Sequence, residues 1–284
     1  MLKIPEETPP ARRTILVTGA TGAVGRHLVH QLAAAGHRVR ALSRRPAQAN
    51  LPREIEVVQG DLSDVASLVH AFEGVSAVHL ITFTGDNGES LSNGDELIRL
   101  AERSGVRNAT VLGGWDETSV EQALRGSSIG WTRLEPVEFM GNALEWAASI
   151  KEEGVVRMLA TWPSAVVHEA DIAAVAAVAL TQEGHEGKRY PLSGPQALTP
   201  AERTAFIAMA VGRHLTFETL SEDQERERLR SYGYPEDYVE FGIQLARTPP
   251  VQAAIVVPTV EQITGRPGRT FASWALENAH AFRA

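Results

Sequence analysis

Residues 14–32 read TILVTGATGAVGRHLVHQL, and the order of residue types in this stretch decides the architecture of the chain. Ile15 to Val17 are apolar and run straight into a turn punctuated by Gly19, Gly22 and Gly25. Leu28, Val29 and Leu32 then recur at helical spacing. A strand, a tight glycine turn and a helix N-terminus together make a phosphate cradle, because unpaired N–H groups and the helix dipole favour negative charge there. The spacing is G-x-x-G-x-x-G and not G-x-G-x-x-G. The motif alone also fits an ordinary βα turn, and its position directly after a strand and at the opening of a helix strengthens the reading as a dinucleotide site.

Working outward, Gly36 ends the helix, and His37 to Leu42 (HRVRAL) reads as a second strand followed at once by Ser43-Arg44-Arg45-Pro46. About 20 residues past the glycines, NAD sites carry a carboxylate for the ribose 2′-hydroxyl, whereas NADP sites carry cations for the 2′-phosphate. No Asp or Glu stands between Thr14 and Arg53, and Arg44 and Arg45 occupy the acid's place. The expected cofactor is NADP(H). Glu54 to Val58 reads as a third strand, ending in Gln59-Gly60-Asp61-Leu62. Asp61 could accept from an adenine amino group, cap a helix over Val65 to Phe72, or do both. Val75 to Ile81 is a nearly continuous apolar strand, as a buried parallel strand should be. His79 within it reads as a hydrogen-bonded core histidine. Thr82-Phe83-Thr84 leave the sheet at its C-terminal edge.

The alternation continues with a helix near Asp95 to Ser104, a strand over Asn108 to Leu112 ending in Gly113-Gly114-Trp115, a helix over Ser119 to Arg125, and a strand over Gly130 to Leu134. It predicts an α/β fold with a doubly wound parallel Rossmann sheet. The expected division is an NADP-binding domain over 12–160 and a mixed, mostly helical C-terminal substrate-binding part over 161–284. In that second part Asn142 to Lys151 reads as helical, and Asp171 as the N-cap of an alanine-rich helix. Lys188 to Leu192 reads as a returning strand, and Thr199-Pro200-Ala201-Glu202 as a capped helix start. The segment 221–244 pairs a densely charged helix with Tyr232, Tyr234, Tyr238 and Phe241. It reads either as a mobile lid or as a peripheral hairpin packing its own aromatics.

The chain has 284 residues, a formal net charge of −8 and no cysteine. The acidic balance argues against nucleic acid or an anionic membrane as a partner. Without cysteine there are no disulfides, thiolate nucleophiles or cysteine-ligated metals. The longest apolar run, Ile172 to Leu180, is too short to span a bilayer, and the N-terminal residues lack the apolar core of a signal peptide. A cytoplasmic protein is expected, as a monomer or homodimer. Gly126-Ser127-Ser128-Ile129-Gly130 matches G-x-S-x-G, but a helix precedes it and a strand comes after it, the reverse of a nucleophile elbow. His168-Glu169-Ala170-Asp171 lacks metal-ligand spacing, so no metal is expected.

TGATGAVGRHL, ALSRRP, QGDL, WTRLEPVEFMGN, HEADIAAVAAVAL and the terminal TGRPGRTFASWALENAHAF occur together and in this order. The chain thereby resembles the NmrA-like atypical short-chain dehydrogenases/reductases, which include NADPH quinone reductases, ketoreductases of secondary metabolism and NADP-sensing regulators. The resemblance implies that Gly19, Ala20, Thr21, Gly22, Val24 and Gly25 line the pyrophosphate. It puts Arg44 and Arg45 at the 2′-phosphate and Asp61 and Leu62 at adenine. Thr82, Phe83, Gly113, Gly114, Pro136 and Val137 would flank ribose and nicotinamide. Phe83, Trp115, Phe139 and His168 would face the substrate.

One departure bears on catalysis. The wider superfamily protonates a carbonyl with a Tyr whose pKa is lowered by a Lys four residues on. Of the three lysines, Lys151 is preceded at that distance by Ala147 and Lys188 by Gly184, and Lys3 is too near the start. The customary serine after the fifth strand is replaced by Gly113-Gly114-Trp115. Two classes of function remain. One is a reductase of an aromatic, polyketide-like ketone or quinone in secondary-metabolite tailoring, protonated by the substrate's own hydroxyl or by His168 or Glu138. The other is a non-catalytic NADP(H)-sensing regulator.

Overall fold

The computed structural model describes residues 13–84, 89–114 and 116–283. In chain order its strands are β1 Thr14–Val17, β2 Arg38–Ser43, β3 Glu56–Gln59, β4 Ala77–Ile81, β5 Asn108–Leu112, β6 Gly130–Pro136, β7 Val155–Met158, β8 Arg189–Leu192 and β9 Thr216–Thr219. Its α-helices begin with α1 Gly25–Ala34, α2 Val69–Phe72, α3 Gly94–Arg103, α4 Ser119–Arg125, α5 Ala147–Glu153 and α6 Glu169–Thr181. They continue with α7 Pro200–Val211, α8 Glu222–Ser231, α9 Glu236–Arg247, α10 Thr259–Thr264, α11 Phe271–Glu277 and α12 Ala279–Phe282.

Seven strands form one sheet in the order β3-β2-β1-β4-β5-β6-β8. The pairs from β3 to β6 are parallel. β8 continues the pattern: Arg133 N–H bonds Lys188 O and Val137 N–H bonds Leu192 O, so the partners advance together along both strands. From β1 the chain steps outward to β3 and then returns to β4 on the other side. That reversal is the switch point of a doubly wound sheet, and ligands bind beyond the carboxyl ends of the strands there. Thr18 extends β1 toward this edge: its hydroxyl donates to His79 O and accepts from Ile81 N–H, both at 2.9 Å.

The chain divides into two compact units, one running up to Leu134 with Ala176–Arg189, the other comprising Glu135–Val175 and Tyr190 onward. Each has its own apolar core. In the first, Leu16, Phe72, Val78, Leu80, Leu97 and Val111 pack together. In the second, Trp274 stacks on Phe271 at 5.1 Å among Ile150, Val156 and Ile207. Among the described residues, no helix is long and apolar enough to cross a membrane.

Several expected boundaries move, for local reasons. β3 begins at Glu56, because Ile55 N–H closes a turn on Pro52 O. The helix expected over Val65 to Phe72 opens as a 3-10 turn capped by Asp64, whose carboxylate accepts Ala66 N–H at 3.1 Å. Asp61 therefore does not cap it; it closes the preceding turn on Ser63. The Asn142–Lys151 segment is 3-10 over Met140–Trp146 before α5 begins. Asp171 is not an N-cap either, since α6 starts two residues earlier. β7 and β9 pair in parallel as a small separate sheet that the sequence pattern does not announce. The expected strand over Lys188 to Leu192 and the Thr199–Glu202 capping box are both present.

His79 is fully buried, with Nδ1 2.8 Å from the Thr110 hydroxyl. Burial pushes its pKa down to about 4. The folded protein thus resists a proton that the unfolded chain accepts near pH 6.5, so stability falls as pH drops from 6.5 toward 4. The shift corresponds to about 3 kcal/mol across that window. Urea denaturation measured against pH should show this loss, and His79→Leu should flatten it.

Candidate functional site

The cradle is built on one close approach. Gly19 adopts φ +60°, in the left-handed region, and receives Gly22 N–H on its carbonyl at 2.9 Å. A Cβ at Gly25 would stand 2.1 Å from that carbonyl oxygen, and one at Gly19 would stand 2.9 Å from Ile81 Cγ2. Only hydrogen fits at either position, so α1 rises directly off the end of β1. No side chain caps α1 at Val24, and its first turn holds no acid. The start of α1 therefore keeps its amide positive end for an outside anion.

A cavity of about 370 Å³ opens here, within the first unit. Gly19, Thr21, Gly22, Arg44, Arg45, Asp61, Leu62 and Phe83 line it, as the glycine and arginine motifs predict. Ala20, Val24 and Gly25 are buried beneath it. Gln48, Ala49 and Thr84 also line it and are not singled out by sequence motifs; their signal is adjacency to the Arg44-Arg45 and Thr82-Phe83 turns. Arg44 and Arg45 are exposed, and the Arg45 amide is fixed on the Ser43 hydroxyl at 3.1 Å. Asp61 accepts from both the amide and hydroxyl of Ser63, which fixes this turn at the wall of the cavity. Thr82 is fully buried just past β4, with its hydroxyl unmatched among the described residues. Two cations and the glycine turn ahead of α1, all lining one cavity, fit a phosphorylated dinucleotide.

At the end of β5, Gly113 and Gly114 are closed to side chains. A Cβ at Gly113 would stand 2.7 Å from Arg133 Nε, and one at Gly114 would stand 2.7 Å from Phe83 Cζ. Arg133 donates to Gly114 O at 3.1 Å and is paired with the buried Glu121. Glu121 also accepts the Thr118 amide at 2.8 Å, so one carboxylate caps α4 and anchors Arg133. Sequence motifs do not single out this pair. The spacing Thr118-x-x-Glu121 announces the cap, but nothing local announces Arg133. Trp115, expected at the substrate, lies outside the described residues.

Residues 19–115 match the family model described as NAD(P)H-binding. The chain is 42% identical over 284 residues to the (4-alkanoyl-5-oxo-2,5-dihydrofuran-3-yl)methyl phosphate reductase of Streptomyces griseus, covering 94% of this chain and 99% of the relative. It is 34% identical to the NAD(P)H azoreductase of Xenophilus azovorans, over 95% and 99% of the two chains. Among solved structures, the NADPH-dependent quinone oxidoreductase of Escherichia coli complexed with NADPH superposes with a TM-score of 0.76 at 28% identity, over 93% and 99%. This chain belongs to the NAD(P)H-binding reductase family of these relatives. It is an NAD(P)H-binding oxidoreductase, which sets the non-catalytic alternative aside.

In the second unit of this reductase the remaining expected residues are tied into the scaffold. Pro136 ends β6, Val137 N–H bonds Leu192 O, and Phe139 bridges to Val167. Glu138 accepts from Arg203 at 2.8 Å. His168 is buried at the start of α6, where Nδ1 accepts Ala170 N–H at 3.0 Å and Nε2 meets Glu277 at 3.2 Å. With Nδ1 an acceptor, the ring proton sits on Nε2 facing that carboxylate. His168 is thus a helix cap, with both ring nitrogens engaged by protein partners. Its neighbours act alike: Glu169 accepts Gly141 N–H at 2.7 Å, and Asp171 accepts the Arg269 amide at 2.7 Å and its guanidinium. The segment 221–244 falls in the helical hairpin of α8 and α9, cross-linked by Arg226–Glu240, Arg230–Glu236 and Arg247–Glu222.

Replacing Arg44 or Arg45 by Ala should weaken NADPH by about tenfold each while leaving NADH unchanged, measured by calorimetric titration. His168→Ala should cost about 1–2 kcal/mol of stability through the lost cap, with kcat preserved, as read by thermal melting beside steady-state assays.

Proposed function

We propose that this reductase passes hydride from NADPH to a conjugated acceptor, a quinone or an aromatic ketone of polyketide type, in the tailoring of a secondary metabolite. The observation that carries this is the closed Gly113-Gly114 turn together with the missing Tyr-x-x-x-Lys pair. A simple ketone becomes a strongly basic alkoxide on reduction and needs a tuned acid, worth about 10²–10⁴ in rate. A quinone or hydroxylated aromatic ketone spreads the charge over its ring or shares a neighbouring hydroxyl proton, so orientation supplies most of what is required. The relatives point the same way, being named for an azo compound, a quinone and an oxo- and alkanoyl-substituted dihydrofuran.

In this reading the Gly19–Gly25 turn holds the pyrophosphate, Arg44 and Arg45 hold the 2′-phosphate, and Asp61 and Leu62 flank adenine. Thr82 supplies its unmatched hydroxyl toward the ribose. Phe83 packs on Gly114, and Arg133 fixes the Gly114 carbonyl, so the turn after β5 presents backbone where other reductases present serine. NADPH supplies the hydride when bound; the proton comes from the acceptor's own hydroxyl or from water.

The test is NADPH consumption across a panel of 1,4-naphthoquinones, hydroxylated polycyclic ketones and simple aliphatic ketones. Quinones and hydroxylated ketones should exceed aliphatic ketones in kcat/KM by about two orders of magnitude, the contribution of the missing acid. Equal turnover of aliphatic ketones would overturn the reading.

A further inference from the structure

A second cavity, of about 220 Å³, lies wholly inside the second unit. Its apolar lining includes Trp146, Trp162, Leu229, Tyr238 and Phe241, the last three from the α8–α9 hairpin. Two donors at its wall lack any acceptor: Nε of Arg203 and Nε1 of Trp162 are buried and unmatched among the described residues. Arg203 itself is 3% exposed. Its Nη1 is held by Glu138, and its guanidinium lies 5.3 Å above the Trp146 ring. A buried N–H without a partner is costly, and an arriving acceptor oxygen removes that cost.

The charges around the cavity restrict what the acceptor can be. Arg203 is the cation among the lining residues, against Glu138, Glu145 and Glu225. Glu138 balances Arg203, and Arg228 balances Glu225 in a two-point pair. Glu145 is exposed and accepts from the Tyr234 hydroxyl at 3.4 Å, with no arginine paired to it among the described residues. The cavity therefore carries surplus negative charge, which repels a phosphate or carboxylate. Aromatic walls with unmatched N–H donors suit an uncharged aromatic or acyl body bearing a carbonyl oxygen.

We propose that this cavity binds an uncharged aromatic carbonyl compound such as a quinone, its carbonyl oxygen directed to Arg203 and Trp162, and that it rejects anionic compounds of the same shape.

Calorimetric titration of the full chain without NADPH, using 2-methyl-1,4-naphthoquinone and its sulfonated counterpart, tests it. The neutral quinone should bind about tenfold or more tightly than the sulfonate. Trp162→Phe keeps the ring and removes the N–H, and should weaken the neutral quinone by about three- to tenfold with NADPH affinity unchanged. Ala246→Trp, which fills the cavity from α9, should abolish quinone binding while thermal melting and NADPH affinity report an intact fold. Equal binding of the sulfonate, or quinone affinity untouched in both variants, would overturn the proposal. A quinone that binds as expected but is never reduced would instead sink the reductase reading and leave the cavity assignment standing.

Discussion

The cofactor half of this protein depends on the contact between Gly25 and the carbonyl of Gly19. A methyl group at Gly25 would stand 2.1 Å from that oxygen, far inside van der Waals contact. The approach brings the start of α1 against the end of β1, next to the point where β1 and β4 part. Both glycines act through geometry. Gly19 turns the chain at positive φ, and Gly25 lets the helix begin before the strand's direction is lost. The turn ahead of α1, at Gly19, Thr21 and Gly22, and the arginines after β2 then border one cavity.

The second unit is fastened at the start of α6 by buried polar side chains that each meet a partner. His168, Glu169 and Asp171 all lie at the start of α6 and are all buried. Each reaches a different segment: Glu277 on α11, the Gly141 amide, and Arg269 before α11. A charge taken out of water is tolerated only where its hydrogen bonds are filled, and removing one partner is worse than removing both. The Glu121–Arg133 pair does the same for the first unit, joining the cap of α4 to the turn after β5. Conspicuous polar motifs such as HEAD and GRPGR are in this way fasteners, although they read as chemistry in the sequence.

The reaction is shaped by the room these fasteners leave. Arg133 and Phe83 press on Gly113 and Gly114, so a side chain at either position would have to displace one of them. Specificity then falls to the fit of the acceptor and to its own electronic structure, which suits a family whose members are named for chemically different π-systems.

The sequence by itself determined the Rossmann sheet, the phosphate turn and the cofactor type. Those features are local: hydrophobic period, glycine spacing and an acid-free stretch with two arginines are complete within a few residues. The expected strands of the sheet accordingly recur with shifts of one or two positions, and half of the residues assigned to the cofactor line one cavity. What only tertiary structure decided involves partners far apart in the chain. His168 reads as a proton donor until Glu277 is seen across from it, and Glu138 reads as an acid until Arg203 is found on it. The strands β7 and β9 exist because each supplies the other's hydrogen bonds across some sixty residues, and no four-residue pattern carries that information. A side chain's chemistry is set by its neighbours, and neighbours are chosen by the fold.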